Sequence, residues 1–150
     1  DLGVYPVSLA HMVFGRPEAI VSLASLGSTG VDDQSGIVLR YSAGQIAVLH
    51  TAMGVVTPTE ACIIGTGGRL RLHSHFYRTE DLTLSQPGKR DRHIHHRRKG
   101  NGLHYQALAV MESLRQGRLE CETMPLGESL AVMETLDAIR APWGLRYPGE

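Results

Sequence analysis

The sequence predicts an α+β fold, an open, largely antiparallel sheet with helices packed on one face. Two observations carry that expectation. The middle of the chain is a meander of short apolar runs joined by Gly-containing turns, and helix-period apolar patterns lie towards its two ends.

The first element should be a helix over residues 1–14. Leu2, Tyr5, Val7, Leu9, Met12 and Val13 give it a broad apolar surface, so it should be buried on more than one side. Pro6 is tolerated only in a first turn, which places the helix start between Gly3 and Tyr5. Gly15 suits the position just past the helix end, and Pro17 prevents continuation.

Strands should follow. Ala19–Leu26 carries Ile20, Val21, Leu23 and Leu26, and the stretch 27–36, with Asp32 and Asp33, reads as turn. Residues 37–41 and 45–52 form a hairpin pattern around Ser42-Ala43-Gly44, and 59–65 with 69–74 form another around Thr66-Gly67-Gly68. A short strand is expected at Asp81–Ser85. Two helices close the chain. One carries Leu103, Ala107, Val110, Met111 and Leu114, the other Val132, Met133, Leu136 and Ile139, and both stripes read as core.

At 150 residues the chain fits a single domain spanning 1–150. Fifteen basic residues balance fifteen acidic ones, so overall charge gives no argument for a nucleic acid or membrane partner. No apolar run approaches the roughly 20 residues that cross a bilayer. Cys62 and Cys121 match no metal-ligand spacing. They read as buried reduced thiols, from which a cytoplasmic location is expected. Because the chain opens at Asp1 almost inside its first helix, it reads as part of a longer protein.

Several short motifs occur in a telling order. Asp1-Leu2-Gly3-Val4-Tyr5-Pro6 opens the chain, then come Met12-Val13-Phe14-Gly15, Thr29-Gly30-Val31-Asp32-Asp33 and Gly65-Thr66-Gly67-Gly68. Gly102, Tyr105, Ala107, Glu112, Leu114 and Gly117 mark the next, followed by Pro125-Leu126-Gly127-Glu128-Ser129. Together they resemble the C-terminal domain of the glucose–fructose oxidoreductase/inositol dehydrogenase (Gfo/Idh/MocA) family, along essentially the whole chain. The pattern most resembles the branch of dimeric dihydrodiol dehydrogenases. The resemblance implies an NAD(P)-dependent oxidoreductase acting on a hydroxyl of a small polyhydroxylated substrate, and a homodimer formed through the sheet face. The cofactor, NAD or NADP, would be bound mainly by an N-terminal Rossmann domain with no counterpart here. Neither its glycine-rich strand–turn–helix nor the family's E-K-P lysine motif occurs in the sequence. An isolated chain should therefore be inactive. The alternative is a non-catalytic dimerisation or binding module.

Removing hydride from an alcohol also requires a base for the hydroxyl proton. The resemblance assigns that role to Tyr5. A phenol, with a reference pKa of about 10, needs a neighbouring cation to act near neutrality. Asp1 lies four residues earlier, and on a helix it would share a face with Tyr5, able to bind a substrate hydroxyl or orient the base. As ordinary structure, Tyr5 would be a core aromatic and Asp1 a charge favoured at a helix start. His11, on the same helix, reads as structural.

His93-Ile94-His95-His96-Arg97-Arg98-Lys99 is the compositional outlier. Alternating histidines can share one side of a strand, so a zinc or nickel site is conceivable. No Cys or carboxylate set accompanies them at recognised spacing, and the surrounding basic residues would repel a cation. A solvated basic loop, with no metal, is the expectation. His96 and Arg97 are the candidates there for contact with the substrate. Gly65-Thr66-Gly67-Gly68 lacks the Lys-Ser/Thr of a phosphate loop and reads as a hairpin turn.

Overall fold

A computed structural model describes residues 1–147. In chain order its elements are α1 (Val4–Phe14), β1 (Ala19–Leu26), β2 (Asp32–Arg40), β3 (Ile46–Ala52), β4 (Ala61–Gly65), β5 (Gly68–Leu72), β6 (Asp81–Ser85), β7 (Arg92–His95), α2 (His104–Arg115) and α3 (Leu126–Arg140). Short 3-10 turns lie at Phe76–Arg78 and Ala141–Trp143. Every strand pairing is antiparallel, as the meander implied. Hydrogen bonding divides the strands between two sheets, β1-β2-β3 and β4-β5-β6-β7, a division the sequence did not announce. The chain accordingly forms two compact units, Asp1–Val55 with the segment from Glu122 onward, and Val56–Cys121.

In the first unit, α1 begins at Val4, so Pro6 falls in the first turn, where no intrahelical N–H is needed. Gly15 ends it at φ 76°, a conformation that glycine adopts without a Cβ penalty, and its N–H donates to His11 O at 2.7 Å. The three-stranded sheet is two-faced because side chains alternate along each strand. Ile20, Ile37, Leu39, Ala47 and Leu49 lie on the face that packs against Val7, Ala10, Val132, Leu136 and Ile139 of α1 and α3. Leu39 and Val7 are the largest side chains wholly removed from water. Two polar groups are satisfied within this core. Ser22 Oγ donates to Ile139 O at 2.6 Å and accepts from Trp143 Nε1 at 3.1 Å, fastening β1 to the end of α3.

Asp32 and Asp33 are strand residues, not turn residues. Pairing of Leu26 with Asp32 and of Ser25 with Gln34 carries the ladder back to the start of β2. The turn is thereby confined to 27–31, closed by the Gly27 N–H donating to Val31 O at 2.8 Å.

In the second unit the four-stranded sheet is amphipathic. Ile63, Leu70, Leu72, Leu82, Leu84 and Ile94 alternate with Cys62, Arg69, Arg71, Thr83, His93 and His95. The expected hairpin forms, but Gly68 joins the strand and pairs with Gly65, leaving a two-residue loop at Thr66-Gly67 in place of the three-residue turn. Three expectations fail here. Residues 92–95 are a strand rather than part of a solvated loop, because pairing with β6 holds them. The apolar stripe of α2 is not core, since Leu103, Val110, Met111 and Leu114 are all exposed. Nor are the thiols buried: Cys62 is exposed on the polar side of its strand and Cys121 is half-buried.

Candidate active site

Tyr5 sits in the first turn of α1. The buried face of that helix is Val7, Ala10 and His11, which leaves the Tyr5 side chain 41% exposed. It is therefore a surface phenol on a well-anchored helix rather than a core aromatic. Asp1 is also exposed, but it precedes the helix, which starts only at Val4. The expectation that Asp1 and Tyr5 share a helical face one turn apart is thus corrected, because the i,i+4 geometry requires both residues to be helical.

His96 and Arg97 lie just beyond β7 in the second unit, and both are exposed. The His96 backbone N–H donates to Glu80 O at 2.8 Å, which extends the β6–β7 pairing by one residue and fixes where these side chains start. Asp1 with Tyr5, and His96 with Arg97, thus belong to different units.

Sequence reasoning passed over a polar network on the second sheet. Thr83 Oγ1 lies 2.8 Å from His73 Nε2 and 3.0 Å from His93 Nδ1, and Asp81 Oδ1 lies 2.8 Å from His95 Nδ1. The alternation of Asp81 with Thr83 and of His93 with His95 was visible in the sequence. The register that brings them together was not.

The residues present do not fit a dinucleotide. All pairings among the described residues are antiparallel, and the one glycine cluster that suggests a phosphate cradle is a hairpin between two strands. Nor, among the described residues, do three or more His, Cys, Asp or Glu side chains converge as metal ligands. No helix among them is long and apolar enough to cross a membrane.

Residues 1–71 match the GFO/IDH/MocA C-terminal domain. The chain matches this family's domain over just under half of its length. Its similarity to curated proteins extends further along the sequence. It is 32% identical over 157 residues to trans-1,2-dihydrobenzene-1,2-diol dehydrogenase of Xenopus tropicalis, covering 99% of this chain and 47% of that protein. Against the protein of the same name from Homo sapiens the identity is 28%, covering 99% and 46%. The chain spans about half the length of the curated relatives it matches. Among solved structures, UDP-N-acetylglucosamine 3-dehydrogenase from Acidithiobacillus ferrooxidans superposes with a TM-score of 0.80 at 15% identity, over 94% of this chain and 45% of the other. A 3-ketoreductase from Actinomadura kijaniata, solved in complex with TDP-benzene and NADP, gives 0.78 at 18% identity, over 94% and 46%. At such identities the likeness is one of fold. The α+β architecture is shared with these two proteins.

Proposed function

We propose that this chain is the substrate-binding and proton-accepting part of an NAD(P)-dependent oxidoreductase acting on a hydroxyl of a sugar, cyclitol or dihydrodiol. The observation that carries the reading is the match of 99% of the chain to dehydrogenases of a dihydrodiol. The exposed Tyr5 on α1 supports it. Its phenol oxygen would take the proton released from the substrate hydroxyl, provided a cation supplied from outside these residues favours the phenolate. Asp1 would hold a second substrate hydroxyl from the residues before the helix. His96 and Arg97, on the second unit, are the further candidates for substrate contact. Because the residues present do not fit a dinucleotide, NAD or NADP would be bound by protein outside this sequence, and these 150 residues alone would not turn over. Two free thiols are in keeping with a cytoplasmic protein.

The test is Tyr5→Phe in the full-length enzyme. Loss of a general base lowers kcat by roughly 10²–10⁴-fold. Near-normal turnover would remove Tyr5 from this role. Titration of residues 1–150 with NADH and NADPH separately tests the division of labour, since tight binding by this chain alone contradicts it.

A second reading, a dimerisation module without catalytic duty, is favoured by the outer face of the first sheet. There Val21 pairs with Val38, and Val38 with Val48, forming one exposed apolar row. A second copy would cover that row about a two-fold axis. The homodimer is compatible with either reading, and turnover by the full-length enzyme decides between them.

A further inference from the structure

His93 and His95 alternate along β7, so their side chains leave the same face of the second sheet. Each ring is gripped through Nδ1 by the residue opposite it on β6. Thr83 Oγ1 holds His93 at 3.0 Å, and Asp81 Oδ1 holds His95 at 2.8 Å. A carboxylate facing Nδ1 places the proton on that nitrogen, which leaves the lone pair of a neutral ring on Nε2. Thr83, buried and bonded also to His73 Nε2 at 2.8 Å, has one hydrogen to give. When it donates to His73 it accepts from His93 Nδ1–H, and the His93 lone pair is likewise on Nε2. Neither Nε2 has a hydrogen-bond partner among the described residues.

We propose that His93 and His95 form a two-histidine site for a divalent transition-metal ion of the zinc, nickel or copper class, with Asp81 and Thr83 as positioning residues. Residues two apart on a strand are separated by about 6.7 Å, and two imidazoles leaning towards each other bring their Nε2 atoms onto one ion at about 2.0–2.1 Å each. Water completes the coordination. Imidazole nitrogen suits these borderline ions, and a carboxylate behind a ligating histidine raises its basicity.

The basic residues nearby are less of an obstacle than the sequence suggested. Arg92 pairs with Leu84 and so faces the opposite side of the sheet. On the polar face, Arg71 is bound through two nitrogens to Glu60, at 2.7–3.0 Å. Arg98 Nη1 donates to Arg78 O at 2.6 Å, and Nη2 lies 3.8 Å from Glu80. Asp81 adds a negative charge beside the two rings.

The test is isothermal titration of the chain, free of affinity-tag histidines, with ZnCl₂ and separately with NiCl₂. One ion should bind per chain, and His93→Gln/His95→Gln together should abolish it. Asp81→Asn, at a residue outside the coordination sphere, should weaken binding by about tenfold, the lower end of the range for a residue that orients a ligand. In the unaltered protein, ring ¹⁵N signals of Nε2 of His93 and His95 should move with Zn²⁺ while both Nδ1 signals hold. That reading does not depend on any variant folding. Absence of binding, retention of the ion by the double variant, or shifts centred on His75, His96 or His104 would each overturn the proposal.

Discussion

His11 Nε2 lies 2.9 Å from Thr135 Oγ1, a contact between two buried side chains that ties α1 to α3. The other ring nitrogen, Nδ1, is 3.2 Å from Glu128 Oε1. One imidazole, on the helix that carries Tyr5, thus reaches two residues of α3 almost two turns apart. Removing the ring leaves a cavity and breaks both cross-helix contacts, although Thr135 Oγ1 keeps its bond to Ala131 O at 2.9 Å. His11→Ala should therefore cost about 2–4 kcal/mol, read as a lower urea midpoint with unchanged slope. A loss below about 0.5 kcal/mol would show that the two helices hold together without it.

Tyr41 presents the opposite case. It is buried beside Phe14, with ring centroids 5.0 Å apart, and its hydroxyl has no hydrogen-bond partner among the described residues. Tyr41→Phe keeps the ring packing and removes the unsatisfied oxygen, so stability should rise by about 1 kcal/mol. Burial also pushes the Tyr41 phenol above its ordinary value of 10.0. Below that pH both folded and unfolded chains hold the proton, and the contribution to stability is intact. As pH rises past 10.0 the unfolded phenol ionises first, and stability falls through the folded-state value. Denaturation curves between neutral pH and pH of about 11 should show a steeper alkaline decline for the unaltered protein than for the phenylalanine variant.

Which elements the sequence disclosed follows from what each depends on. β1 and β6 lie where alternation and apolar runs put them, because one buried face writes its own period. Strand β7 was hidden because it offers a single apolar residue, Ile94, among charged and polar neighbours, and it exists through its pairing with β6. The stripe on α2 was visible, but periodicity reports that a face is apolar, not what covers it. Of the candidate site, the Tyr5 position was legible through its surrounding motif. The geometry of Asp1 was not, since the helix boundary falls between the two residues. Charge was misleading in a similar way. The basic run from Lys89 to Lys99 looks uniform as a string, whereas strand alternation and ion pairs divide it.

The Thr66-Gly67 turn offers a sharp contrast between neighbouring glycines. Gly68 has φ 142°, and a Cβ there would clash with Ser85 O of the adjoining strand. Around Gly67 nothing comes within 4 Å, and its backbone lies in no left-handed region. Gly68→Ala should destabilise by about 2–3 kcal/mol, through both the clash and the strained backbone. Gly67→Ala should stay within about 0.5 kcal/mol. Thermal melts of the two variants make the comparison, and equal shifts would mean that the hairpin end of the sheet gives way without cost.

The outer face of the first sheet separates association from folding. Val48 is 76% exposed and sits beside Val38, itself 39% exposed, in the apolar row that ends at Val21. A charge at an exposed strand position costs the monomer little, about 0.5 kcal/mol or less. At the centre of an isologous contact the same charge meets its own copy across the axis in a desolvated setting, where like charges repel strongly. If the proposed homodimer forms through this face, Val48→Arg should leave the thermal midpoint of a dilute sample nearly unchanged and yield monomer in sedimentation velocity, where the unaltered protein sediments as a dimer. A change at Thr66, on a hairpin tip of the other sheet, serves as the control and should leave sedimentation untouched. If Val48→Arg sediments like the unaltered protein, the face is not the contact. If it unfolds instead, Val48 contributes to the fold far more than its exposure implies.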